Sequence, residues 1–289
     1  MRSPVEWSSA QLVFIHVPKA AGTSFVRALE VNFRREEICP AYYWAELFRI
    51  PRARLLRYRL IRGHFDYCVV ELLRDVRVIT MLREPVARAA SYYRYIRSNE
   101  QHPLCETFRR RSFLEVLEHP ELGIPIRDAQ TRLFGRDIDL ELLRRKKAPE
   151  APPVYPWENR PGGSRLSLDR ALERVARMDF VGVQERFDDA LLLLAYTLGW
   201  PPPERIERVN VTPAGEADPA RDPEVAARVR ECNRLDERLY RHAAALFEER
   251  FEAMRGEVAA ALGVPRERVG REEIVSALRQ RAEAFRRAR

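Results

Sequence analysis

Three short apolar runs, Leu12–His16, Tyr58–Arg62 and Val76–Leu82, each break off into residues that a buried strand does not use. The first and third lead straight into a helical pattern. Runs of this length suit strands and are too short for buried helices. A fourth run, Phe180–Val183, follows a helix over Leu168–Met178 and precedes an amphipathic helix over Asp188–Leu198 that Gly199 ends. Strands alternating with helices predict an α/β domain with a central, mostly parallel sheet, because parallel neighbours need helical crossovers. Between these elements, segment 34–57 is mixed and partly helical. Segment 105–147 reads as several short helices punctuated by Gly123 and Gly135, and 148–164 is a proline- and glycine-rich loop. We divide the chain into a domain over 1–255 and an arginine-rich helical extension over 256–289, read as a solvated terminal helix.

The first passage reads Gln11-Leu-Val-Phe-Ile-His-Val-Pro-Lys-Ala-Ala-Gly-Thr-Ser-Phe25. A strand, a small-residue turn and a helix start make an anion site, since free N–H groups and the positive helix end face one cup. Ala20, Ala21 and Gly22 let backbone approach a phosphate closely. Thr23 and Ser24 add hydroxyls, one of them capping the helix, and Lys19 adds a mobile charge. Lysine is rare here: Lys19, Lys146 and Lys147 are the three among 51 basic residues. The passage is no Walker A loop, because its lysine precedes the glycine. An ordinary strand-to-helix turn with a solvated lysine is the plainer alternative.

The second passage is Thr80-Met-Leu-Arg-Glu-Pro-Val-Ala-Arg-Ala-Ala-Ser-Tyr-Tyr-Arg-Tyr95. Arg83 stands at a strand end, on the side of an α/β sheet where ligands bind. Pro85 suits the first turn of a helix to about Arg97. Ser91 lies two turns into that helix. Surface ion pairing by Arg83 and Arg88 is the alternative reading. The third passage, Arg62-Gly-His-Phe-Asp-Tyr67, puts His64 just past a strand end, where a residue titrating near 6.5 can move a proton. Arg62 and Lys19 beside it would hold its pKa at or below that value. Glu84 and Asp66 are the alternative bases. His16 reads as a packed strand-end residue, and His102, His119 and His242 as loop or helix residues.

Taken together, "HVPKAAGTS" and "LREPVARAAS", each between a strand and a helix, resemble the sulfotransferases that use 3′-phosphoadenosine 5′-phosphosulfate (PAPS). Further landmarks are Phe180-Val-Gly-Val-Gln-Glu-Arg-Phe187, Leu191–Leu194 and Asn233-Arg-Leu-Asp-Glu-Arg-Leu-Tyr240. They are similar to the heparan 2-O-sulfotransferase-like glycan branch and its bacterial relatives, over roughly residues 11–250. The resemblance implies a P-loop-like nucleotide-binding fold and sulfuryl transfer from PAPS to an acceptor hydroxyl on a glycan or other small molecule, leaving PAP. It implies Lys19, Ala20, Ala21, Gly22, Thr23 and Ser24 at the 5′-phosphosulfate, Arg83 and Ser91 at the 3′-phosphate, Lys19 and His64 as catalytic residues, and no metal. One departure stands out: the chain reads Asp128-Ala-Gln-Thr-Arg132 where the family often has asparagine before Gln-Thr-Arg, so no acceptor contact is assigned there.

The net charge of +8 favours an anionic partner. A nucleic-acid binder is the rival in another class, with Tyr92-Tyr93-Arg94-Tyr95 and the arginine-rich end in its favour. Those tyrosines occupy consecutive helical positions, so at least one packs inside, and the charge has no focus. A nucleotide-dependent kinase would want a Walker A loop and a magnesium-binding pair of aspartates. Cys39, Cys68, Cys105 and Cys232 are widely spaced and read as packed thiols rather than disulfides or zinc ligands. No run reaches the ~20 apolar residues of a membrane span. With no signal-peptide pattern, a cytoplasmic, bacterial protein is expected.

Overall fold

The computed structural model describes residues 10–145, 166–203 and 218–287, so the loop read over 148–164 lies outside the described residues. Strand β1 (Gln11–Ile15) leads into α1 (Gly22–Glu30), and the single-turn helices α2 (Trp44–Leu47) and α3 (Arg52–Leu55) precede β2 (Leu60–Gly63). Strand β3 (Val76–Leu82) runs into α4 (Pro85–Ser98). The short helices α5 (Cys105–Arg109), α6 (Phe113–Glu118), α7 (Ala129–Gly135) and α8 (Leu140–Arg145) follow. Next come α9 (Leu168–Arg177), β4 (Phe180–Val183) and α10 (Phe187–Leu198), then α11 (Pro223–Cys232), α12 (Arg234–Leu262) and α13 (Arg271–Arg287).

The four strands form one all-parallel sheet in the order β2–β1–β3–β4. Both faces are covered, which is why β1 and β4 are buried at every position and read as continuous apolar runs. Period-two alternation sorts their side chains. Val13 and Ile15 join a core with Ile61, Phe65, Phe134 and Val175. Leu12 and Phe14 join the opposite core with Phe25, Leu29, Phe180 and Met254. Burying a side chain of this size is worth about 1.5–3 kcal/mol, so each face is firmly held. A third cluster packs α4, α5, α6 and α11 together through Tyr92, Tyr93, Phe108, Val116 and Val229.

Three expectations are corrected. Helix α10 is apolar nearly all round, with Ala190 to Tyr196 buried without a break, because it is pressed against β4, α12 and α13. Neither Thr23 nor Ser24 caps α1. Ala21 takes that position in a left-handed conformation, and both hydroxyl residues fall within the first turn. The arginine-rich end is not simply solvated, since α13 inserts Ile274, Leu278 and Ala282 into the protein interior. Helix α12 continues through residue 255 without interruption. Among the described residues, no helix is long and apolar enough to cross a membrane.

Candidate active site

The strand order fixes where the site can be. From β1 the chain passes to β2 on one side, and from β3 it passes to β4 on the other. A crevice therefore opens between the carboxyl ends of β1 and β3, the position where open α/β sheets bind ligands. Both motif-bearing loops start there. Thr80 Oγ1 donates to the Ile15 carbonyl at 2.8 Å and ties the two strands together directly beneath it.

The loop from His16 to Ala21 holds two residues with left-handed backbone, Lys19 (φ 70°) and Ala21 (φ 57°). Side chains other than glycine's are strained there by roughly 1–2 kcal/mol, so the surroundings must enforce the shape. Helix α1 then begins at Gly22 with no acidic residue in its first turn, leaving its positive end uncompensated. Thr23 is exposed and Ser24 buried. The Lys19 ammonium sits 4.0 Å from the centre of the Tyr95 ring. Burial first, then Arg83 and Arg94, pull its pKa down to about 8. It remains mostly charged at neutral pH in a place where a further anion is welcome.

Arg83 meets this loop. Its Nη1 donates to the Lys19 carbonyl at 3.1 Å, and burial lowers its pKa. Ser91 stays half-buried on α4, one turn before Tyr95 on the same helical face, and it is Tyr95 whose ring meets the Lys19 ammonium. The other arginine of the motif does something else. Arg88 is fully buried and donates to the carbonyls of Pro125 and Ile126 at 3.3 and 2.7 Å.

His64 stands beside the first loop because Ile15 pairs with Gly63 across β1 and β2. Its Nδ1 lies 2.9 Å from the His16 carbonyl oxygen. A carbonyl can only accept, so the proton is on Nδ1 and Nε2 carries the lone pair. Burial lowers the pKa of His64 to about 4, and the His16 hydrogen bond opposes that shift. The direction matches the sequence reading but the cause differs, because neighbouring cations act on His16 instead. The alternative bases are otherwise engaged. The Glu84 carboxylate caps α4 by accepting from the N–H groups of Val86 and Ala87 at 3.1 and 2.7 Å. Asp66 is buried and accepts from the Trp44 indole at 3.0 Å.

Sequence reasoning missed the frame around these residues. Tyr42 and Tyr43 stand over the His64 ring, with centroids 5.1 and 5.6 Å away. Gln130 grips the Arg83 backbone from both sides, accepting its N–H at 3.0 Å and donating to its carbonyl at 2.8 Å. Asp236 accepts from the N–H groups of Gln130 and Thr131 and from the Thr131 hydroxyl. Asp128 accepts from the N–H groups of Leu235 and Asp236, both at 3.0 Å. The Gln-Thr-Arg and Asn233–Tyr240 landmarks are thus two halves of one buried brace behind Arg83. A buried acidic residue at a core-facing helical position was the available signal, and Asp236 is one.

No family model matches the chain. It is 26% identical to heparan-sulfate 6-O-sulfotransferase 2 of Gallus gallus, across 84% of this chain and 68% of that protein. This likeness supports a sulfotransferase family for the chain. The relative is named for 6-O transfer, whereas the motifs resemble the 2-O-directed branch.

Proposed function

We propose that this protein is a sulfotransferase that moves a sulfuryl group from PAPS to a hydroxyl group on a carbohydrate. The observation that carries the reading is the meeting of Arg83 and Lys19 at the sheet's switch point, with His64 beside them. The residues fit the donor. A helix start without acidic side chains, small residues at Ala20, Ala21 and Gly22, and the Thr23 and Ser24 hydroxyls would hold the 5′-phosphosulfate. Arg83 and Ser91 would hold the 3′-phosphate. Bound there, PAPS supplies an activated sulfuryl group attached to a phosphate leaving group.

The chain's own residues supply position, charge and a base. Lys19 brings a compact ammonium on a flexible stem, which can follow charge as it grows on the leaving oxygen. His64 presents the Nε2 lone pair to the acceptor proton, its Nδ1–H being held by His16. A carbohydrate acceptor is favoured by the motif branch and by the relative's name. The test has two parts. PAP should raise the melting temperature more than adenosine 5′-phosphosulfate, which lacks the 3′-phosphate. Mass spectrometry should then find one added sulfuryl group on desulfated heparan oligosaccharides incubated with protein and PAPS. Equal melting shifts from both nucleotides would remove the 3′-phosphate assignment.

A further inference from the structure

Tyr42, His16 and Gly22 lie on three separate segments, and one imidazole joins them. The His16 ring stacks 4.4 Å from the His64 ring at an interplanar angle of 30°. Its Nδ1 is hydrogen-bonded to the Tyr42 hydroxyl. On its far side it fills the space that a side chain at Gly22 would need, with Nε2 1.7 Å from the position of a Cβ. The main chain repeats the connection: His16 N–H donates to the Gly63 carbonyl at 3.0 Å, and His64 N–H donates to the Tyr42 carbonyl at 2.9 Å.

We propose that His16 is a positioning residue for His64: its carbonyl holds the Nδ1–H tautomer, and its ring is a wall of fixed orientation that aims Nε2 into the crevice. This rests on the reading of His64 as the base. The proton inventory supports it. Burial raises the Tyr42 pKa, so its O–H remains a donor. Burial, with His64, Lys19 and Arg62 following, lowers the His16 pKa, so His16 stays neutral and Nδ1 accepts from Tyr42. The groups facing the pair are Lys19 from the first loop, Arg62 from β2, and Tyr42 and Tyr43 from the segment before α2. None is an acid that would charge the histidines at neutral pH. A rigid, uncharged neighbour orients the base without competing for its proton.

The test needs no acceptor. In histidine-labelled protein, NMR reports tautomer and titration for His64, assigned with His64→Gln. Wild type should keep the Nδ1–H form to below pH 5. In His16→Ala the carbonyl stays but the wall is gone, so the Nδ1–H tautomer should persist while the His64 midpoint rises by at least one pH unit. His16→Phe restores the wall and should restore the low midpoint. Tyr42→Phe, which removes a single oxygen, should broaden or shift the His16 and His64 signals together and guards against an unfolded alanine variant. PAP-induced stabilisation should persist in each. An unchanged His64 midpoint in folded His16→Ala, or unchanged His16 and His64 signals in Tyr42→Phe if the alanine variant does not fold, would overturn the proposal. Loss of PAP binding by wild type would instead sink the sulfotransferase reading and leave the histidine pair standing.

Discussion

Replacing Gly22 by alanine tests the packing of the first loop more directly than any change to a charged residue. The new Cβ would lie 1.7 Å from His16 Nε2, 2.0 Å from Cδ2 and 2.5 Å from Cε1. To regain ordinary contact at 3.4 Å the ring must withdraw by about 1.7 Å. It has nowhere to go, with His64 at 4.4 Å, Phe14 at 5.5 Å and Tyr42 at 5.7 Å between ring centres. Overpacking of this kind costs about 1–3 kcal/mol. Losing the Tyr42 hydrogen bond adds about 0.5–1.5 kcal/mol. Removing a glycine from the unfolded chain returns only about 0.4–1 kcal/mol. The net loss, about 0.5–4 kcal/mol, should lower Tm by roughly 1–7 °C, since unfolding a chain of this size releases about 0.6 kcal/mol/K of entropy. Gly256, inside α12 with nothing within 4 Å of its would-be Cβ, is the control. There Gly→Ala should raise stability by about 0.5–1 kcal/mol. The assay is a thermal melt of both variants with and without PAP. A Gly22→Ala protein that melts with wild type and keeps the full PAP shift would refute this account of the loop.

Other outcomes follow from the same geometry. Lys19→Ala should lower kcat far more than PAP affinity, and Lys19→Arg should not rescue it; near-wild-type turnover in either would remove the charge-following role. Arg83→Ala should weaken PAP strongly and adenosine 5′-phosphosulfate much less, measured by calorimetric titration. His64 is neutral in the fold down to about pH 4, whereas an unfolded histidine takes up its proton near 6.5. Between those values the unfolded chain binds more protons, so stability present above pH 6.5 declines as pH falls toward 4. Urea unfolding of His64→Gln should show a shallower slope over that window. Asp128 has its pKa raised to about 6 by burial and by Asp236, so its ionisation destabilises the fold as pH rises through that value. Asp128→Asn keeps an acceptor for the Leu235 and Asp236 N–H groups, and should melt higher than wild type at pH 8 but not at pH 4.

What the sequence disclosed, and what it hid, divide along contact range. Strands β1, β3 and β4 were legible because both sheet faces are buried, which makes each a mostly apolar run, interrupted in β3 by Arg77 and Thr80. The two loops were legible because small residues and basic side chains crowd into a few positions between a strand and a helix, a local pattern that needs no distant partner to be seen. Arg88 was not, since nothing local distinguishes an arginine that solvates a helix face from one that anchors the Pro125 and Ile126 carbonyls. The Tyr42 and Tyr43 walls came from a segment with no clear periodicity. The clamp on Arg83 joins residues 47 apart, and its brace joins Gln130 to Asp236 across 106. No window along the chain can show that. Helix α10 misled for a related reason: its polar residues suggested a wet face, but α12 and α13, far later in sequence, cover it.

The brace behind Arg83 also sets a clock on biosynthesis. Gln130 holds the loop after β3, and Asp236 on α12 holds Gln130. At roughly 5–20 residues per second, a ribosome would add residue 236 roughly 8–30 s after residue 83. Through that interval the emerging chain has a sheet edge and an anion loop but no fixed Arg83. The residues around the crevice are all made by position 91, but the brace that fixes Arg83 among them is completed only when Asp236 emerges. A premature stop anywhere before α12 would yield a polypeptide that presents apolar strands to chaperones while the loop after β3 lacks its anchor.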